Sequence, residues 1–145
     1  MVGIANRYRV QWAAQFFVAA ELTRKDHIVS FTLGNAPETD LHVSNPETGK
    51  QFRVDVKGHG GKNFWEIRKR EPKKDLFYIL VDIFEESPKY YILSSKEMMD
   101  EWYNYYQDIK KLRKKKGTMI PKSDYRWGIR HTQAMKYKDK WEALP

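Results

Sequence analysis

Two aspartates and a lysine carry the chemistry this sequence offers. Asp40 stands just before the short extended run Leu41-His42-Val43, and Asp55 and Lys57 lie two apart in Phe52-Arg53-Val54-Asp55-Val56-Lys57. Between the two runs, Asn45-Pro46-Glu47-Thr48-Gly49 has turn chemistry, so the whole reads as a β-hairpin. Alternation at period two puts Phe52, Val54 and Val56 on one face and Arg53, Asp55 and Lys57 on the other. The hairpin brings Asp40 beside Asp55, so two carboxylates and an ammonium converge at one edge of a small sheet. Mg²⁺ takes such a cluster, with one or two carboxylates at about 2.0–2.1 Å and water and substrate phosphate as the remaining ligands. The plainer alternative is a solvated strand face on which an Asp and a Lys happen to be neighbours. Gly58-His59-Gly60-Gly61 follows Lys57 directly, as suits backbone held close to a ligand or bent away from a strand.

The elements that must position these residues follow from the rest of the chain. Asn6 to Lys25 reads as a first helix: Asn6 is an N-cap candidate, and neither Gly nor Pro interrupts the segment. Val10, Ala14, Phe17 and Glu21 fall on one stripe at helical spacing, with Val18 and Leu22 alongside, and Gln11, Gln15, Val18 and Leu22 form a second. His27 to Leu33 reads as a strand, and Gly34-Asn35-Ala36-Pro37 as the loop delivering Thr39 and Asp40 to the hairpin. Asn63 to Ile67 reads as a further short strand, and Arg68 to Asp75 as a charged loop. Leu76 to Ile83 is a nearly continuous apolar run, the pattern of a central strand buried on both faces. Glu85 to Pro88 turns the chain, and Lys89 to Leu93 returns as its neighbour.

Ser94 with Glu97 three residues on makes a capping box that opens the next helix. That helix carries Met98, Trp102, Tyr105, Tyr106 and Ile109 on one side and ends in Lys110-Lys111-Leu112-Arg113-Lys114-Lys115-Lys116. The basic run is either a solvated helix end complementing the dipole or a patch that tracks phosphates. Asp124 to Ile129 and a helix near Thr132 to Leu144 are expected to cover the sheet, with Trp141 as a core plug. The order helix, strand, hairpin, strand, strand pair, helix, helix predicts an α/β or α+β fold. Its mixed β-sheet would have about five or six strands flanked by helices.

Composition sets bounds on function. At 145 residues the chain is expected to form one domain, residues 1–145, with a substantial core. Apolar residues make up 41% and aromatic residues 14%, which excludes disorder by composition. No run reaches the ~18 apolar residues of a membrane span, and the N-terminus lacks a signal-peptide core. The expectation is a soluble, intracellular (cytoplasmic) protein without a membrane partner. With no cysteine, disulfides and thiolate zinc sites are excluded. A net charge of +8 favours an anionic partner, nucleic acid first. Acidic residues gathered on one strand edge of so basic a chain suggest a divalent cation between protein and phosphate.

A helix, a strand, an Asp, a spacer and then Asp/Glu-x-Lys on the next strand resembles the core of the PD-(D/E)xK nuclease superfamily. Here the signature reads Asp40, then Asp55-Val56-Lys57. The wider string AAQFFVAAELTRKDHIVSFTLGNAPETDLHV, followed by VDVKG, FWEI, DLFYILVDI and YYILSSKEM, is similar to small restriction-endonuclease-like proteins. The resemblance runs from Ala13 to Trp102 and takes in the Trp141 segment. It implies that Asp40 and Asp55 hold Mg²⁺ or Mn²⁺. Lys57 would orient or deprotonate the attacking water, or stabilise charge on the scissile phosphate. Two departures stand out. The proline next to the first Asp is absent, Pro37 lying three residues earlier. The first-helix Glu that points at the metal in many members falls on Gln15, which adds no negative charge. Glu21 is the alternative, about 120° around the helix from Gln15, so at most one of them faces the site.

The function implied is a divalent-metal-dependent endonuclease hydrolysing DNA, with Lys62, Arg68, Lys69 and Arg70 on phosphates. A second reading keeps the fold as a catalytically inactive nucleic-acid-binding or interaction module, which the missing helix Glu favours. A third makes the acidic pair a surface feature of an α/β domain. Nucleases of this kind also form homodimers in which two sites cut two strands, and no segment of this sequence marks such a surface.

Overall fold

A computed structural model describes residues 4–32, 36–59, 63–84, 86–120 and 126–145. Helix α1 (Ile4–Arg24) leads into strands β1 (Ile28–Phe31), β2 (Leu41–Ser44), β3 (Gln51–His59), β4 (Phe64–Glu66), β5 (Leu76–Asp82) and β6 (Lys89–Ser94). Helix α2 (Ser95–Lys115), strand β7 (Gly128–Arg130) and the short helix α3 (His131–Ala134) follow. Five strands form one mixed sheet in the order β1-β2-β3-β5-β6, in which β3 and β5 are parallel and the other pairs antiparallel. The fold is therefore α+β, a five-stranded mixed sheet flanked by helices, as the order of elements predicts. Strand β4 leaves this sheet and pairs with β7 in a two-stranded one.

The sheet has a core on each side. Along β5, Phe77, Ile79 and Val81 face the α1 layer with Phe52, Val54 and Val56 of β3. Leu76, Tyr78 and Leu80 face the α2 layer with Trp65, Met98, Trp102 and Ile129. The continuous apolar run is thus a strand with both faces covered. The hairpin turn forms as its residues require: Asn45 Oδ1 accepts from the N–H groups of Glu47 and Thr48, and Gly49 takes a positive φ of 72°. Ser94 and Glu97 close the capping box that starts α2.

Three sequence expectations change. Helix α1 already runs from Ile4, so Asn6 lies inside it instead of capping it. On α1 the buried residues are Val10, Ala14, Gln15, Val18, Ala19 and Leu22, while Phe17 is 40% exposed. The helix lies too near β3 for a large side chain there: a Cβ on Gly58 would meet Ala14 Cβ at 2.8 Å. Near the C-terminus, the helix expected over Thr132 to Leu144 is broken into α3 and two 3₁₀ turns, Met135–Tyr137 and Trp141–Ala143. Lys138 bridges to Tyr91 and Asp139 N–H donates to Tyr90 O at 2.9 Å, so the edge of β6 takes up the backbone that a helix would have used. Trp141 still packs on the α1-side core, with its ring 5.2 Å from Tyr90. Leu33, Gly60, Gly61, Asp124 and Tyr125 lie outside the described residues.

Candidate active site

Asp40 continues the ladder of the sheet by one residue. Its N–H donates to Val54 O at 2.9 Å, and its carbonyl accepts from Thr32 N–H at 3.0 Å. The β2–β3 register ends at Leu41↔Val54, and Asp40 turns its N–H to that same Val54 carbonyl, which keeps it beside the Val54–Val56 segment. Its carboxylate is held from two sides: Oδ2 accepts from Val56 N–H at 2.8 Å, and Oδ1 faces Gln15 Nε2 at 3.4 Å. Burial pushes the Asp40 carboxyl above the ordinary carboxylate range. The Val56 N–H opposes that push, the Asp55 charge adds to it, and Lys57 and Arg70 counter it further.

Asp55 is buried, and two cations meet it. Lys57 Nζ lies 2.7 Å from Oδ1, and Arg70 Nη1 lies 2.9 Å from Oδ2. The lysine approaches off the hydrogen-bonding direction, so Oδ1 has a charge contact yet no directed hydrogen bond. Arg70 Nε also reaches Glu38 at 3.3 Å, whose other oxygen takes Lys73 Nζ at 2.9 Å. Tyr78, opposite Asp55 on β5, is fully buried, with its hydroxyl beside the Arg70 guanidinium. Burial first, and then the Asp55 charge, raise the Tyr78 hydroxyl pKa.

The structure therefore brings Gln15, Asp40, Asp55 and Lys57 together. Glu21 stands elsewhere on α1, paired with Arg24 at 2.8 Å. Arg70, expected on phosphate, sits against Asp55 and Glu38. Arg68 and Lys69 are exposed, Lys69 lying over the Tyr103 ring at 5.1 Å, and Lys62 falls outside the described residues. Sequence reasoning missed Glu38 and Tyr78. Glu38 carried a local signal, since it lies two residues before Asp40, whereas Tyr78 is hidden in an apolar run. Gln11 was read only as part of a stripe. It caps the open edge of β3, donating to Val56 O at 2.7 Å and accepting from Gly58 N–H at 3.2 Å.

Among the described residues no three Asp, Glu, His or Cys side chains gather as a metal-binding group. Mg²⁺ does not require three, because one or two carboxylates suffice when water and phosphate complete its shell. Two neighbouring carboxylates, one with a buried oxygen lacking a directed hydrogen bond, fit that requirement.

The mixed sheet flanked by helices is a fold shared with a solved endonuclease structure. The bacterial homing endonuclease I-Ssp6803I has a similar structure, with a TM-score of 0.58, 13% identity, and coverage of 99% of this chain and 91% of that one. No protein-family model and no curated protein matches the sequence. No helix among the described residues is long and apolar enough to cross a membrane.

Proposed function

We propose that this chain, as one domain over residues 1–145, is a divalent-metal-dependent endonuclease of the PD-(D/E)xK type that hydrolyses DNA. The observation that carries the reading is the convergence of Asp40, Asp55 and Lys57: the ammonium lies 2.7 Å from the buried Asp55 carboxylate, and both charges act on the Asp40 carboxyl. Asp40 and Asp55 would hold Mg²⁺ or Mn²⁺, which when bound supplies Lewis-acid stabilisation of the phosphate and a more acidic water. Lys57 orients the attacking water and neutralises charge on the scissile phosphate. The water oxygen bonds to phosphorus as the bond from phosphorus to the departing sugar oxygen breaks, one water proton passing to solvent and the sugar oxygen taking a proton from solvent. Gln15 fixes the Asp40 carboxylate through its amide. The similarity of fold to a homing endonuclease supports the substrate class.

The test is Lys57→Ala. Removing a preorganised charge at the reacting phosphate should lower the cleavage rate by about 10²–10³-fold, with the melting temperature held to within a few degrees. Activity lost only together with the fold would refute the assignment. One observation favours the inactive module instead: Arg70 and Lys57 together neutralise Asp55. On that reading Mg²⁺ leaves the melting temperature unmoved, whereas a competent site is stabilised by its ion.

A further inference from the structure

Three adjoining hollows lead away from Lys57 across the surface. The first, about 310 Å³, opens beside Lys57 and Gly58 and is walled by Arg7 and Arg126. Two of its lining side chains are buried with unpartnered polar atoms: His59, 8% exposed, and Trp65, 2%. The second hollow shares Glu66 and Arg126 with the first and adds Arg68 and Lys69. The third shares Trp102 and Trp127 with the second and runs along α2.

Helix geometry explains the third hollow. Trp102, Tyr106, Lys110 and Lys114 recur every four residues and so form one face. Trp102 and Tyr106 stack at 5.7 Å with 8° between their planes, and Trp127 lies 5.1 Å from Tyr106. Beyond α2 the chain reverses at Gly117, whose φ is +67°, and Thr118 N–H donates to Arg113 O at 2.9 Å. The reversal brings Met119 and Ile120 to the same hollow. Eight Lys and Arg side chains line the three hollows against one acidic residue, Glu66, which pairs with Arg126 at 3.2 Å.

We propose that this track binds an unpaired strand of DNA flanking the cut. This rests on the nuclease reading and assigns that site its substrate path. Phosphates meet the cations, and bases lie against the apolar wall of Trp127, Tyr106 and Met119. A duplex encloses its base faces and turns phosphates outward, so it satisfies the cations and leaves the wall without a partner. An unpaired strand satisfies both, because every base has a face to stack. The lysine run that closes α2 is therefore part of the substrate path.

The test is anisotropy titration of a labelled single-stranded oligonucleotide and its duplex against the full chain, in EDTA, at several salt concentrations. The reversal Lys110→Glu with Lys114→Glu should weaken single-strand binding at least tenfold and lower its salt slope by about two. Duplex binding should fall by less. The charge-matched control, Lys50→Glu with Lys140→Glu, alters residues that line none of the hollows and should cost under about threefold. Equal losses in both variants, equal losses on both DNAs, or a wild type that ignores the single strand would each overturn the track. Because EDTA removes cleavage from the measurement, the two readings fail separately. Lys57-dependent cutting with unmoved binding removes the track and keeps the nuclease, and the reverse pattern removes the nuclease alone.

Discussion

Replacing Asp40 with Asn should stabilise the metal-free protein. Asp55 is a charged neighbour of Asp40, and burial together with that charge pushes the Asp40 carboxyl pKa up. The sign follows from linkage. A carboxyl whose folded pKa lies above its unfolded value is charged in both states at high pH, and there folding carries the full penalty. As pH falls below the unfolded value the group is protonated in both states, and the penalty vanishes. Two carboxylates about 5 Å apart would repel by roughly 0.8 kcal/mol at the dielectric of water and roughly 3 kcal/mol at an effective 20. Lys57 and Arg70 offset part of this, leaving about 1 kcal/mol, which for a chain of this size is about 2–4 °C in melting temperature. Asparagine keeps an oxygen for the Val56 N–H, now 2.8 Å from the carboxylate, and a turned Gln15 amide can accept from its NH₂. Thermal melts in EDTA should therefore place Asp40→Asn above wild type at pH 7.5, with the gap narrowing toward pH 4 and vanishing only below about pH 3. In Mg²⁺ at ten times its dissociation constant the wild type should gain about 1.4 kcal/mol that the variant lacks. A variant that melts below wild type at pH 7.5, or a gap of equal size at pH 4, would refute the reasoning.

Other substitutions probe the same edge. Gln15→Glu adds a carboxylate facing Asp40, whose Oδ1 lies 3.4 Å from the present amide. It should lower metal-free stability by about 1 kcal/mol and lower the Mg²⁺ concentration needed for half-stabilisation, both read from melts across a titration. Gly58→Ala would set a Cβ 2.8 Å from Ala14 Cβ and 3.0 Å from Val10 O, so α1 must shift. A loss of about 1–3 kcal/mol in urea unfolding is expected, with reduced cleavage because Gln11 and Gln15 move with the helix. Glu21→Gln removes only the pair with Arg24, and should leave cleavage unchanged and stability within about 1 kcal/mol in the same assays.

The hairpin was legible because local signals agree: an Asn-Pro-x-x-Gly turn joins a run that alternates at period two, and the structure buries Phe52, Val54 and Val56 together. The central strand was legible from an apolar run too dense for a one-sided sheet. The face of α1 was harder. Trp12, Phe16 and Phe17 are all exposed, so apolar residues surround the helix and periodicity alone does not choose an inner side. The choice is made by β3, whose close approach at Gly58 admits only small side chains such as Ala14. That contact joins residues 44 positions apart in sequence and leaves no local trace. The break after Ala134 escaped for a related reason, since the competitor for its backbone is the edge of β6 rather than any helix breaker.

Arg70 shows most clearly what a pattern of residue types leaves out. Its charge and its place in a basic loop suggest contact with phosphate, yet its guanidinium bonds Asp55 at 2.9 Å and reaches Glu38 at 3.3 Å. An uncompensated carboxylate at the depth of Asp55 would be costly, and two cations relieve that cost. A divalent ion at Asp55 would compete with both. Glu38 then matters, because it already lies within reach of the guanidinium and can keep it paired when Asp55 turns to the ion. On the nuclease reading the guanidinium holds the site together before the ion arrives and stays paired afterwards. On the inactive reading it holds Asp55 permanently. The two differ in what Arg70→Ala does to the response to Mg²⁺: removing a competitor enlarges the thermal shift, whereas removing a permanent partner only lowers the baseline.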